Sequence, residues 1–155
     1  MMAGSEIDTI EECLDRIRVA WDEGNAHAYA AEFTEDATYV IFLGEALIGR
    51  RWIENTHADV FAKWQKGTRM VIEVIGKNLL APGIASVLTV GGIGKGRQIP
   101  YDKMQTFTLP QQDGRWKCTS FQNTRMSRRA KRIHNPGSAA GILGLLRRGQ
   151  ALASR

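Results

Sequence analysis

The strongest constraint on this chain is the run that begins at Asp113-Gly114, a tight-turn dipeptide, and continues to Arg125. Its residues alternate in period 2, the signature of a strand. Trp116, Cys118, Ser120 and Gln122 make one set, and Arg115, Lys117, Thr119, Phe121 and Asn123 the other. The first set passes from apolar to neutral polar. That pattern suits a sheet face that is core at one end and pocket wall at the other. The second set would then give cross-strand pairs, or a seam between two subunits through Phe121 and Asn123.

The sequence before this strand reads as helices first and strands second. A helix is predicted over 8–23, with Asp8 as its cap and Ile10, Cys13, Leu14, Ile17 and Trp21 on one face. Gly24 stops it. A short alanine-rich helix follows over 26–33, Thr34-Glu35-Asp36 is a turn, and 38–43 is a strand. A third helix is predicted over 51–65, where Ile53, His57, Phe61 and Trp64 share a face at offsets of 4, 8 and 11 from Ile53. Strands are then predicted over 68–78, 84–91, 97–109 and 114–125, joined by short turns as an antiparallel meander. Gly91-Gly92-Ile93-Gly94-Lys95-Gly96 invites a phosphate-loop reading, but no Ser or Thr follows the lysine and a strand comes next, so it reads as a mobile hairpin loop. The fold class is α+β: a curved antiparallel sheet, shaped as a cone with an open mouth, with three helices from the N-terminal half on its concave face.

A chain of 155 residues suits one domain, expected over 1–126. The rest, 127–155, holds seven Lys/Arg and no acid and reads as a disordered basic tail. Subtracting it leaves 14 basic against 16 acidic residues, so the net charge of +5 belongs to the tail and nucleic acid is not an expected partner. Two cysteines are too few for a disulfide framework or a zinc site, and no metal or other cofactor is expected. With no signal peptide and no apolar run approaching a membrane span, the expectation is a cytoplasmic protein without a membrane partner.

The pieces Trp21-x-x-Gly24-Asn25, Phe33-Thr34-Glu35-Asp36-Ala37, Gly49-Arg50, Ile53-x-x-x-His57-x-x-x-Phe61, Gln105-Thr106, Gly114-Arg115-Trp116 and Phe121-Gln122-Asn123-Thr124-Arg125 occur in that order. Over residues 8–126 they resemble the SgcJ/EcaC group of the SnoaL-like, nuclear-transport-factor-2-like superfamily. The resemblance implies a cystatin-like cone with an apolar pocket and a homodimer formed through the outer sheet face. Such relatives include polyketide cyclases, ketosteroid isomerase, dehydratases, epoxide hydrolases and non-catalytic binding or association domains. A shared fold does not transfer function.

His57 is the candidate catalytic residue, because an imidazole on the apolar face of the third helix can move a proton or bind a polar ligand group. The competing reading is a histidine hydrogen-bonded within the core. Tyr29, Tyr39, Trp52 and Phe61 are candidate ligand-binding rings, and Gln105 and Gln122 candidate ligand-binding amides. Asn123 and Arg125 offer a further amide and a cation. The last strand carries no acid, and Asp36, Glu73 and Asp102 do not match the cyclase pattern. The expected function is to hold a small apolar or aromatic, polyketide-like molecule. The alternatives are a cofactor-independent isomerase, cyclase or dehydratase using His57 as acid/base, and a dimeric association domain.

Overall fold

The computed structural model describes residues 7–127; the expected tail lies outside them but for Ser127. Helix α1 (Ile10–Asp22) is capped at Thr9, one residue later than the cap predicted at Asp8. Thr9 caps it in a capping box with Glu12, since its hydroxyl accepts from Glu12 N at 3.1 Å and Glu12 accepts from Thr9 N at 2.7 Å. Asp8 is engaged elsewhere. Its carboxylate accepts from Arg16 Nη1 at 2.6 Å and from Trp116 N at 2.6 Å. Arg16 also donates to Glu32 at 2.9 Å, and Glu32, buried, takes Arg115 at 2.8 Å. This network ties α1 to the end of helix α2 (Ala26–Ala31) and to strand β6 (Arg115–Trp116).

Phe33 opens strand β1 (Phe33–Val40), so the predicted turn at 34–36 is strand. Strand β2 (Ala46–Ile48) pairs antiparallel with β1. Helix α3 (Arg50–Asp59) buries Ile53 and His57, then widens into a π turn over Val60–Trp64, where Gln65 N donates to Val60 O at 2.7 Å. The extra residue in that turn changes the helical phase. Phe61 stays buried, while Trp64, predicted for the same face, is 68% exposed.

Strands β3 (Arg69–Ala81), β4 (Ile84–Gly94), β5 (Lys103–Gln112) and β7 (Cys118–Arg125) form the expected antiparallel meander. The sheet order is β2-β1-β7-β5-β4-β3, with β6 on β5. The pairing of β1 with β7 is parallel, so the curved, open sheet is mixed rather than wholly antiparallel.

Two strand expectations are corrected. β4 runs through Gly91–Gly94, which were read as loop. A Cβ at Gly91 would collide with the Val71 carbonyl, and one at Gly92 with the Pro100 carbonyl, so glycine here serves close backbone approach inside a strand. In the last strand the predicted alternation does not hold throughout. The strand breaks at Lys117, whose N–H donates to Pro110 O at 3.0 Å, and the phase changes across Thr119. Cys118 and Phe121 are both buried. Beyond Ser120 the register sets Phe121 and Asn123 opposite Phe107 and Gln105 on the inner face, and Gln122 opposite Thr106 on the outer one. A one-residue change of phase moves every later side chain to the other face. Phe121 and Asn123 therefore cannot form an outward seam.

The Arg16 network makes a checkable demand. Arg16→Met leaves buried Glu32 with only the half-exposed Arg115, and is expected to lower unfolding free energy in urea by about 2–3 kcal/mol. Arg18→Met, which breaks exposed pairs with Asp15 and Asp22, is expected to cost under about 1 kcal/mol.

Candidate functional site

α3 lies against the inner sheet face with His57 at the centre of an aromatic cluster. The imidazole is 4.4 Å from the Tyr29 ring centroid, 5.1 Å from Tyr39, 5.8 Å from Phe61 and 5.9 Å from Trp21. Tyr39 packs on Phe121 at 4.5 Å, and Phe121 on Phe107 at 4.8 Å. Each partner comes from a different element: Trp21 from α1, Tyr29 from α2, Tyr39 from β1, Phe61 from the π turn, and Phe107 and Phe121 from β5 and β7. The i, i+4 spacing of Ile53, His57 and Phe61 aims the α3 stripe inward. Position β1–β7 sets Tyr39 beside Phe121.

The polar atoms in this cluster are neutral. His57 is 3% exposed, and burial pushes its pKa down to about 4 although its bond to Ile53 O acts in the other direction. Nδ1 lies 2.7 Å from Ile53 O. A carbonyl only accepts, so Nδ1 carries the proton and Nε2 is the acceptor nitrogen. The Tyr29 and Tyr39 hydroxyls bond each other at 2.9 Å. Burial raises both phenols above their ordinary range. Trp21 Nε1 donates to Thr68 Oγ1 at 3.0 Å, so its indole is also satisfied.

Of the residues read as site candidates, His57, Tyr29, Tyr39 and Phe61 are brought together here. Gln105 faces inward one row further along the sheet, where its Oε1 accepts from buried Thr89 Oγ1 at 2.8 Å. Trp52 is 63% exposed on the far side of α3, and Gln122 is exposed on the outer sheet face, so neither joins the cluster. At the end of the inner face the structure adds two residues that sequence reasoning missed, Phe42 and Lys103. Lys103 Nζ lies 5.3 Å and the Arg125 guanidinium 4.6 Å from the Phe42 ring centroid. The strand predicted over 97–109 starts only at Lys103, so the sequence reading placed this lysine mid-strand and gave no signal of the arrangement. Asp102 bonds Lys103 Nζ at 2.5 Å and Asp36 accepts from Thr34, while the influences acting on His57 are its burial and the Ile53 carbonyl.

A separate cleft of about 480 Å³ is lined by Asp8, Glu12, Asp15, Arg16, Asp113, Gly114 and Arg115. It lies at the N-terminal end of α1, whereas Trp21, the α1 residue beside His57, is at the other end. Its Asp8, Arg16 and Arg115 side chains are already engaged in the ion-pair network. Among the described residues no group of three or more His, Cys, Asp or Glu is arranged to hold a metal ion. No described helix is long and apolar enough to cross a membrane.

Burial of His57 in its uncharged form predicts how stability depends on pH. The unfolded chain takes up a proton near pH 6.5, but the folded ring does so only near pH 4. The contribution is complete above pH 6.5 and is lost as pH falls toward 4, by about 3 kcal/mol in all. Urea unfolding from pH 7 to 4 is expected to show this loss in the wild type and a smaller one in His57→Phe.

Neither a family model nor a curated protein matches this sequence. Solved structures do match the fold. A domain of unknown function with a cystatin-like fold from Nostoc punctiforme is 23% identical, with 94% of this chain and 95% of that one covered and a TM-score of 0.70. A nuclear-transport-factor-2-like protein of unknown function from Shewanella oneidensis is 16% identical over 74% of this chain and 95% of that one, with a TM-score of 0.64. A ketosteroid isomerase-like protein from Erwinia carotovora is 15% identical over 80% and 98%, with a TM-score of 0.61. The chain thus has the cystatin-like, nuclear-transport-factor-2-like fold that the resemblance implied, on the α+β order of helices and then strands.

Proposed function

We propose that this protein binds a small, flat, largely apolar molecule of polyketide-like chemistry against the inner sheet face, and holds it without transforming it. The supporting observation is the pairing of an aromatic lining with neutral polar groups centred on His57. Apolar burial would supply the affinity, and the Nε2 lone pair would accept a ligand hydroxyl. The lining rings are nearly fully buried, so a ligand must displace side chains to enter. The π turn, with exposed Trp64 as its last residue, would mark the helical end of that lining, and Phe42 the strand end.

Catalysis by His57 as acid/base, in an isomerase, cyclase or dehydratase needing no cofactor, is the second reading. A pKa near 4 disfavours it, because such a ring is neutral at pH 7 and a weak base. Its ordered nitrogen also bonds a backbone carbonyl, which orients the ring but cannot relay a proton.

Self-association through the outer sheet face belongs to the same proposal. There Ile84 and Leu88 are 39% and 38% exposed, with half-buried Met104 between neutral polar residues. Light scattering at a mass twice that of the 17.2 kDa chain would support it; a monomer at all concentrations would remove it.

Titration with 2-naphthol, followed by tryptophan fluorescence and calorimetry, tests the binding reading. Saturable binding is expected, weakened by a factor of about 5 in His57→Phe, the worth of one net hydrogen bond. Binding of 2-methylnaphthalene, which has no hydroxyl, is expected to be unchanged by that substitution. No binding of either compound refutes the reading. Turnover of a hydroxylated substrate that disappears in His57→Phe supports the second one.

A further inference from the structure

The inner face is graded along its strands. Val87, Phe107 and Phe121 lie side by side across β4, β5 and β7. Two residues on, the same positions are Thr89, Gln105 and Asn123. Two further on they are Gly91, Lys103 and Arg125. The rows are apolar, then amide and hydroxyl, then cationic. Gly91 contributes no side chain to the last row, where a Cβ would meet the Gln105 amide oxygen, so the row's side chains are its two cations.

Two features of this end are unusual for a surface that serves only packing. The Asn123 side-chain oxygen is buried and, among the described residues, accepts no hydrogen bond. Such an atom is destabilising unless a donor reaches it, and no other described buried side-chain polar atom shares that state. Lys103 is 6% exposed, although lysine is seldom buried, and it shares the Phe42 ring with Arg125. Asp102 is ion-paired with Lys103, and Arg125 is the exposed cation of the row.

We propose that the cationic row is an anion-recognising end of the ligand site, and that the ligand is therefore a flat aromatic carboxylate. This rests on the binding reading above and names the ligand class. The rings lie on the Phe107–Phe121 row with the ligand hydroxyl on His57 Nε2, the carboxylate meets Arg125, and Asn123 Oδ1 is left to accept from a second donor where the ligand carries one. The apolar and cationic rows are four residues apart, about 13 Å along the strands, and the long cationic side chains can shorten that span. Phe42, an aromatic ring already held by the two cations, marks where a ligand ring and its carboxylate would replace it. Arginine suits this role because its planar donors match a carboxylate in two parallel bonds.

Calorimetric titration of the full chain with 6-hydroxy-2-naphthoate and with 2-naphthol tests the assignment, because the two share a hydroxylated ring system and only the first carries the anion. The carboxylate is expected to bind roughly tenfold more tightly in low salt, less so in high salt, with Arg125→Gln abolishing the preference and leaving 2-naphthol unchanged. Equal affinity for both compounds in the wild type overturns the anion site while leaving the apolar site standing. A preference that survives Arg125→Gln overturns the assignment to this row. Binding of neither compound refutes the apolar site and the anion site together. Arg125 is exposed at the end of β7, and an unchanged melting temperature verifies that its substitution leaves the fold intact.

Discussion

The interior depends on an imidazole that carries no charge. His57 is enclosed by rings from four other elements, and a protonated ring there would place an unpaired cation in an apolar cluster. Burial keeps it neutral, and the bond from Nδ1 to its own helix fixes which nitrogen is protonated. Those two effects let α3 close the sheet with a residue that still offers one acceptor lone pair. The same cluster has its phenols bonded to each other and its indole bonded to Thr68. Its polarity is therefore local, directional and uncharged, which is the chemistry of orientation more than of proton transfer.

Helical stripes were the most legible part of the sequence. Ile10, Cys13, Leu14, Ile17 and Trp21 are buried as their spacing requires, and Ile53, His57 and Phe61 likewise. These patterns are local and need only a period of 3.6. The meander was legible for the same reason, since its turns at Pro82-Gly83 and Asp113-Gly114 carry their own signals, with positive φ at Gly83, Asp113 and Gly114. The parallel joining of β1 to β7 was not, because a contact across about eighty residues leaves no local trace.

The misplaced side chains have a common physical cause, a change of phase. Trp64 leaves the apolar face because one turn of α3 holds an extra residue. Phe121 and Asn123 move inward, and Gln122 outward, because the last strand breaks at Lys117 and changes phase at Thr119. Neither event has a sequence signature as plain as a proline. The candidate site was thus legible where it stands on the uninterrupted part of α3, and unreadable on the strand whose alternation looked most regular. Phe42 and Lys103 escaped notice because their meeting depends on loop and strand ends that only the folded sheet brings together.

β3 ends the sheet as a strand of 13 residues, and long free edges invite further strands to add on. This edge is irregular. Its register against β4 shifts between Val74 and Gly76 and again between Leu79 and Ala81, and Lys77 is drawn to Glu11 on α1. An incoming straight strand would lose step once before the exposed Leu79-Leu80 tip and again within it. The geometry therefore guards the chain against open-ended stacking along its edge, and leaves flat faces as the surfaces on which a closed, finite assembly can form.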